Sequence, residues 1–263
     1  MAAQAHDRQA AGSRVGVYVY GILPGDVEVE PGAPGVGDPP GEVRAIRYRD
    51  LTALVSDVDL DRPLGRAADL VAHEELLDSS AAEVAVLPLR FGAVLASDDA
   101  VADELLGPHY AEFSAALQQL DGHAEYVVKG RYVEQAVLGA VLAENPEAAR
   151  LGQQIGRTDP DTTREQRIRL GEIVAAEIEA RRQADTRALG DAVGEEVTAS
   201  VVRTPTHEFD AVYAAFLVET GRAEALRRAV GHLAEQWGDR VGLRVIGPLA
   251  AYDFVGSSAP AGN

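Results

Sequence analysis

Glu125-Tyr126-Val127-Val128 opens the half of the chain in which the order of elements decides the fold. An apolar strand begins there. A short helical pattern, Glu134 to Ala143, is closed by Asn145-Pro146. A long one follows from Asp161 to Val193, with Leu170, Ile173, Val174 and Ile178 on one stripe. Within it Glu165 and Arg169, and Glu177 and Arg181, stand four apart in the favourable order. Strands are expected at Val197–Val202 and Phe209–Val218, around a turn at Pro205. Gly221 to Trp237 reads as a helix with Leu226, Val230, Leu233 and Trp237 on one face, and Val241–Ile246 as the last strand. Strand, helices, strand, strand, helix, strand is the split βαβ order of a ferredoxin-like domain.

Working back, Val15 to Tyr20 alternates with period 2, Val15, Val17 and Val19 on one face, Tyr18 and Tyr20 on the other. Leu23 to Gly41 is dense in Pro and Gly and is expected to be a surface loop. Strands Val43–Tyr48 and Leu51–Val58 meet at Arg49-Asp50, and a helix over 66–82 carries the stripe Leu70, His73, Leu77. Glu83–Leu89 is a further strand. A helix starting at Asp98 is interrupted at Gly107-Pro108, resumes with Tyr110, Phe113, Leu117 and Leu120, and ends at Asp121-Gly122. This is the same order with the first crossover helix replaced by the loop. The expected class is therefore α+β: two ferredoxin-like domains, the first modified. The expected boundaries are a disordered leader at 1–14, domains at 15–122 and 123–255, the second with a long helix over 161–193, and a disordered tail at 256–263. The halves share topology and no convincing residue-level identity.

Composition excludes more than it selects. The chain of 263 residues carries 24 Lys and Arg against 42 Asp and Glu, a net charge of −18. That opposes binding to a phosphate backbone or an anionic membrane, so neither nucleic acid nor membrane is an expected partner. Cysteine is absent, which removes disulfides and thiolate chemistry and fits a cytoplasmic location. No apolar run approaches the roughly 18 residues of a membrane span.

A search for chemistry returns little. No pair among the six histidines has the i,i+4 spacing of a helical metal site, and no phosphate loop, dinucleotide fingerprint or nucleophile elbow is present. No catalytic residue, cofactor or metal is expected. The acids Asp57, Asp59, Asp61, Asp98 and Asp99 flank turns and helix starts, where capping explains them. His207-Glu208 reads as exposed turn chemistry. His73, on an apolar stripe, reads as a hydrogen-bonded, partly buried histidine. Arg90 directly follows an apolar strand. Its reading is a buried polar staple on a carboxylate or carbonyl, with a ligand or partner contact as the other possibility.

Three segments in order then carry a resemblance. They are Tyr18-Val19-Tyr20-Gly21; His73 followed by Val86-Leu87-Pro88-Leu89-Arg90-Phe91-Gly92; and Gly247-Pro248 followed by Tyr252-Asp253-Phe254. Together they resemble the GvpL/GvpF family of gas vesicle proteins over roughly Val15 to Val255. Leu249-Ala250-Ala251 departs from the more proline-rich family pattern. The resemblance implies an accessory or minor structural protein of gas vesicles, not an enzyme. It would bind the apolar shell protein and support vesicle nucleation and assembly, with other gas vesicle accessory proteins as further partners. It also marks Tyr18, Tyr20, His73, Arg90, Phe91, Tyr252 and Phe254 as partner-contact or structural residues. The competing reading is a small-molecule enzyme with its site between two ferredoxin-like domains, lined by His73, Arg90 and a carboxylate.

Overall fold

Both units of the chain are built on an antiparallel sheet of which the first strand is an inner member. In the computed structural model the residues described are 14–29, 33–157 and 163–255. The leader before Arg14, the tail from Gly256 and the expected helix start at Asp161 lie outside them. Contacts divide the chain into one unit of residues up to Asp121 with those from Ala250, and a second of Gly122–Leu249. Among the described residues no helix is long and apolar enough to cross a membrane.

In the first unit β1 (Val15–Pro24) pairs antiparallel with β3 (Leu51–Asp59), and β3 with β2 (Arg44–Tyr48) across a hairpin turn in which Arg49 takes φ 54°. The sheet order is β2-β3-β1-β4, with β5 (Val94–Leu95) also on β1. The expected strand at Glu83–Leu89 is reduced to β4, Leu87–Pro88, because Glu83 and Val84 are still leaving the preceding helix, their N–H groups bound to the Ser80 carbonyl at 3.1 and 3.0 Å. Helix α1 (Ala67–Ala81) buries Asp69, His73, Leu77 and Ala81, a strict i,i+4 row. Leu70, placed on the stripe from sequence, is 42% exposed. The row shifts because Asp69 is needed at the helix start. Its carboxylate accepts the N–H groups of Gly37, Gly65 and Arg66 at 3.1, 3.1 and 2.9 Å.

The Pro/Gly-rich stretch is not only a surface loop. Val36 is 1% exposed and Val43 is buried beside it. A Cβ on Gly35 would overlap the Tyr20 hydroxyl, so the bare backbone is what lets this stretch close over the sheet. Beyond β5, α2 (Asp98–Ala100) starts on a Ser97 cap, Oγ accepting the Ala100 N–H at 3.2 Å. It continues into a π-helical stretch, Val101–Leu106, that ends as the Gly107 N–H reaches the Ala102 carbonyl at 2.8 Å. Helix α3 (Tyr110–Leu120) follows. The segment from Ala250, which the sequence reading attaches to the second domain, packs with this unit. Ala250 donates its N–H to Asp78 Oδ1 at 2.9 Å, and Ala250 and Ala251 are buried.

In the second unit the order is β7-β8-β6-β9, formed by β6 (His123–Tyr132), β7 (Ala199–Val202), β8 (Asp210–Glu219) and β9 (Val241–Leu249). Helices α4 (Glu134–Glu144), α5 (Pro146–Arg157) and α6 (Arg164–Val193) join β6 to β7, and α7 (Ala223–Trp237) joins β8 to β9. Tyr126, Val128, Val212, Phe216 and Val218 of the sheet pack against Leu189 and Val193 of α6 and Leu226, Val230 and Leu233 of α7. Helix α5 was not expected. Asn145-Pro146, read as a stop, is equally a start: Asn145 Oδ1 accepts the N–H groups of Glu147 and Ala148 at 3.1 Å each, and Pro146 takes the first helical position. Ala148 and Leu151 then close on Val141 and Ile173.

Two substitutions check these assignments by urea denaturation. Leu87→Asp places a charge at a buried, paired position and should cost about 2–5 kcal/mol. Asn145→Ala removes a cap and should cost about 1 kcal/mol. An unshifted midpoint in the first case would show that β4 is not core.

Candidate functional site

Five of the seven residues singled out from sequence meet around one histidine. Helix α1 carries His73 inward, at 2% exposure. Its Nδ1 lies 2.9 Å from Tyr18 Oη of β1, and its Nε2 lies 2.8 Å from Tyr252 Oη of the C-terminal segment. The Gly92 N–H donates to Tyr18 Oη at 3.2 Å. Tyr20 Oη accepts the Val36 N–H at 2.7 Å and shares a 2.8 Å hydrogen bond with Ser56 Oγ of β3. The rings close the gaps. Tyr20 stacks on the imidazole at 5.7 Å, Tyr18 lies 4.8 Å from Tyr20, and Phe91 sits edge-on to His73 at 5.6 Å.

The proton pattern follows from the partners. Tyr18 Oη already accepts from Gly92, so its own proton is directed at Nδ1. His73 then carries its proton on Nε2 and donates to Tyr252 Oη. This tautomer is assigned from the network. Burial drives the His73 pKa from 6.5 down to about 4, so the ring is neutral at pH 7. Burial pushes the Tyr18 and Tyr20 hydroxyls up, keeping both protonated. With both ring nitrogens engaged, His73 has nothing to offer a substrate proton. The arrangement fastens α1, β1, the Pro/Gly-rich stretch, the Phe91-Gly92 turn and the C-terminal segment to one another.

The other two residues stand apart. Arg90 is exposed, and the expected buried staple does not form. The Leu89 N–H donates to the Tyr20 carbonyl at 2.9 Å, which turns Leu89 inward and sends its neighbour to solvent. Phe254 is half-buried in a separate depression beside Leu87, Phe113, Ala116 and Leu120. His73 and Arg90 therefore do not share the lining that an enzymatic reading requires. Two open cavities, of ≈ 370 Å³ in the second unit and ≈ 530 Å³ in the first, are lined by none of the seven. Among the described residues no group of three or more His, Asp or Glu could hold a metal ion.

Sequence reasoning passed over three other polar centres. Ser56 and Gly35 complete the aromatic network. Asp210, fully buried, accepts the N–H groups of Thr206 and His207 at 2.8 and 2.9 Å and lies 3.3 Å from Arg131. Asp185 accepts Tyr132 Oη at 2.6 Å and both Arg240 Nη groups at 2.6 and 3.0 Å. Its partners lie 53 and 55 positions away, where no spacing rule reaches.

Comparison with known proteins gives the arrangement a context. A family model described as gas vesicle synthesis protein GvpL/GvpF matches residues 16–256. Gas vesicle protein F of Streptomyces sp. (strain CB03234) is 40% identical over 245 residues, covering 90% of this chain and 98% of that protein. Gas vesicle protein L of the same strain is 30% identical over 261 residues, covering 91% and 92%. The crystal structure of GvpF from Anabaena sp. PCC7120 superposes with a TM-score of 0.73 at 23% identity, covering 92% of this chain and 96% of that one. GvpF from Microcystis aeruginosa gives 0.72 at 24%, covering 91% and 98%. Both structures share the mixed α/β fold with two antiparallel sheets.

The buried imidazole sets a pH window. Unfolded His73 takes up a proton below 6.5 and folded His73 only near 4, so the unfolded chain binds more protons between these values. Stability should fall as pH drops through that interval. Relative to the wild type, His73→Gln should show a shallower slope of melting temperature against pH across it. Equal slopes would locate the proton uptake elsewhere.

Proposed function

The chain belongs to the GvpL/GvpF family of gas vesicle synthesis proteins, and from that premise we propose that it binds the apolar shell protein of gas vesicles and supports vesicle nucleation and assembly. The observation that carries this reading is the extent of the family match, residues 16–256. On this reading the protein acts at gas vesicles, by contact with the shell protein and other accessory proteins, without catalysis. The 40% identity to protein F, against 30% to protein L of the same strain, supports an F-type member.

The physical case rests on what an unassembled shell subunit needs. Its apolar surface aggregates in water until it is covered. A partner with net charge −18 that covers it transiently keeps the complex dispersed by self-repulsion. Among the described residues the outer strands are β2, β4 and β5 in one unit and β7 and β9 in the other, and strand edges accept added strands. We read both units as ferredoxin-like, the first without its crossover helix, because each has its first strand between its third and fourth. Tyr18, Tyr20, His73, Phe91 and Tyr252 are then structural, and exposed Arg90 remains the family-motif residue free to meet a partner.

The test is co-expression with a gas vesicle shell protein, followed by affinity capture on a tag carried by this chain. Recovery of shell protein in a soluble complex is the expected result. Its consistent absence across shell-type partners would remove the assembly role.

A further inference from the structure

The second unit concentrates cations where the rest of the chain is acidic. On neighbouring strands Lys129 is in register with Arg244, and Arg131 with Gly242. These residues, with Gly130 and Leu243, line an open depression of ≈ 290 Å³. Lys129 Nζ is held by Thr206 Oγ1 at 2.7 Å, above the Tyr213 ring at 4.6 Å. Asp210 lies 3.8 Å from Lys129 and 3.3 Å from Arg131, so one carboxylate faces both. Arg244 is exposed and, among the described residues, has no carboxylate partner. The group keeps a local positive excess in a chain of net charge −18.

Arg244 also stands on an outer strand. Nothing pairs with the far edge of β9 among the described residues. The edge is blocked only near its end, where Arg227 Nη2 donates to the Gly247 carbonyl at 3.0 Å and Pro248 has no N–H to offer. The stretch Val241–Ile246 stays available. Gly242 has nothing within 4 Å of where a Cβ would stand, so no side chain shields the backbone there. Arg244 and Ile246 share a face, one cationic and the other 38% exposed and apolar.

The β2 edge of the first unit, which by strand order matches β7 and not β9, differs. On β2, Arg44 is bound at 2.7 Å by both Asp57 and Asp98, and Arg47 reaches the Val27 carbonyl at 3.4 Å. The Arg44 charge is spent within the unit. A free arginine that only guarded an edge against aggregation would serve as well without Lys129 and Arg131 beside it.

We propose that the β9 edge is a docking site for an extended, acidic segment of a partner protein. The segment adds as a strand along Val241–Ile246, places a carboxylate against Arg244, and lays an apolar side chain on Ile246. Backbone hydrogen bonds supply the affinity and the cation cluster selects the charge. This surface does not depend on the shell-protein reading, and its failure would leave that reading untouched.

The experiment uses the full chain and a fluorescein-labelled peptide, Thr-Val-Thr-Glu-Thr-Val-Thr, which sets one glutamate between two valines on a single strand face, together with its valine–lysine counterpart, followed by anisotropy. Saturable binding that weakens with added salt is expected. Arg244→Glu should weaken it by roughly tenfold or more, while Arg150→Glu, an exposed position on α5, should not change it. The same peptide N-methylated on alternate residues along both edges in turn should lose binding from one edge. Equal binding of a valine–lysine peptide, no effect of Arg244→Glu in a protein with unchanged circular dichroism, or full binding of both N-methylated forms would overturn the proposal. So would an Arg244-dependent self-association in the ultracentrifuge without peptide binding, since the occupant would then be a second copy of this chain.

Discussion

A neutral imidazole with a tyrosine hydroxyl on each nitrogen sets the terms for the first unit. Its partners come from β1 and from a segment 179 positions along the chain from His73, so the network forms only when distant parts of the polypeptide have already met. Each hydroxyl and ring nitrogen has a partner, which is what allows so many polar atoms to be buried without penalty. The same completeness explains why neighbouring choices look forced. Gly35 must lack a side chain, Asp69 must start the helix that aims His73, and Gly92 must leave the apolar strand with its N–H turned inward.

The second unit is held differently. Its buried polar centres are carboxylates, Asp185 against Arg240 and Tyr132, and Asp210 in a turn of backbone N–H groups. Burial raises the Asp210 pKa, but the Thr206 backbone and hydroxyl, Lys129 and the His207 N–H together outweigh it and hold the carboxyl below its ordinary 3.8. A group lowered in this way contributes stability above pH 3.8 and loses it as pH falls through its folded value. The buried histidine and the buried carboxylate thus answer to acid in successive intervals.

Much of this was legible where physics acts locally. Alternation at Val15–Tyr20 and the stripe Leu226, Val230, Leu233 give β1 and α7 directly; in α7 the stripe is the buried row, whereas both faces of β1 are buried. The convergence of Tyr18, Tyr20, His73, Phe91 and Tyr252 was marked by motif and placed by the fold. What failed were choices between two valid local readings. Asn145-Pro146 both ends α4 and starts α5, and the helix at 67–81 offers Leu70 or Asp69 as a face residue. Tertiary partners decide such cases: Val141 and Ile173 for α5, the Gly37 N–H for Asp69. Arg90 failed for a different reason. The buried run Ala85–Leu89 ends at Leu89, and the chain turns at Arg90 toward Gly92, whose φ is 95°, which leaves the guanidinium in solvent.

A sealed centre and open margins suit a protein that works by contact. His73, Tyr18 and Tyr252 are engaged in holding the first unit, and on the proposed reading recognition falls to strand edges and to the charges beside them. On β2 Arg44 is neutralised by Asp57 and Asp98, and on β9 Arg244 has no such acid among the described residues. An edge guarded by an internally paired arginine resists any added strand equally, since nothing in it distinguishes one comer from another. An edge bearing an unpaired arginine repels cationic strands and admits acidic ones, so the same residue that discourages aggregation also selects a partner. Two sheets of the same strand order can in this way carry different tasks, with the difference lying in where each unit spends its carboxylates.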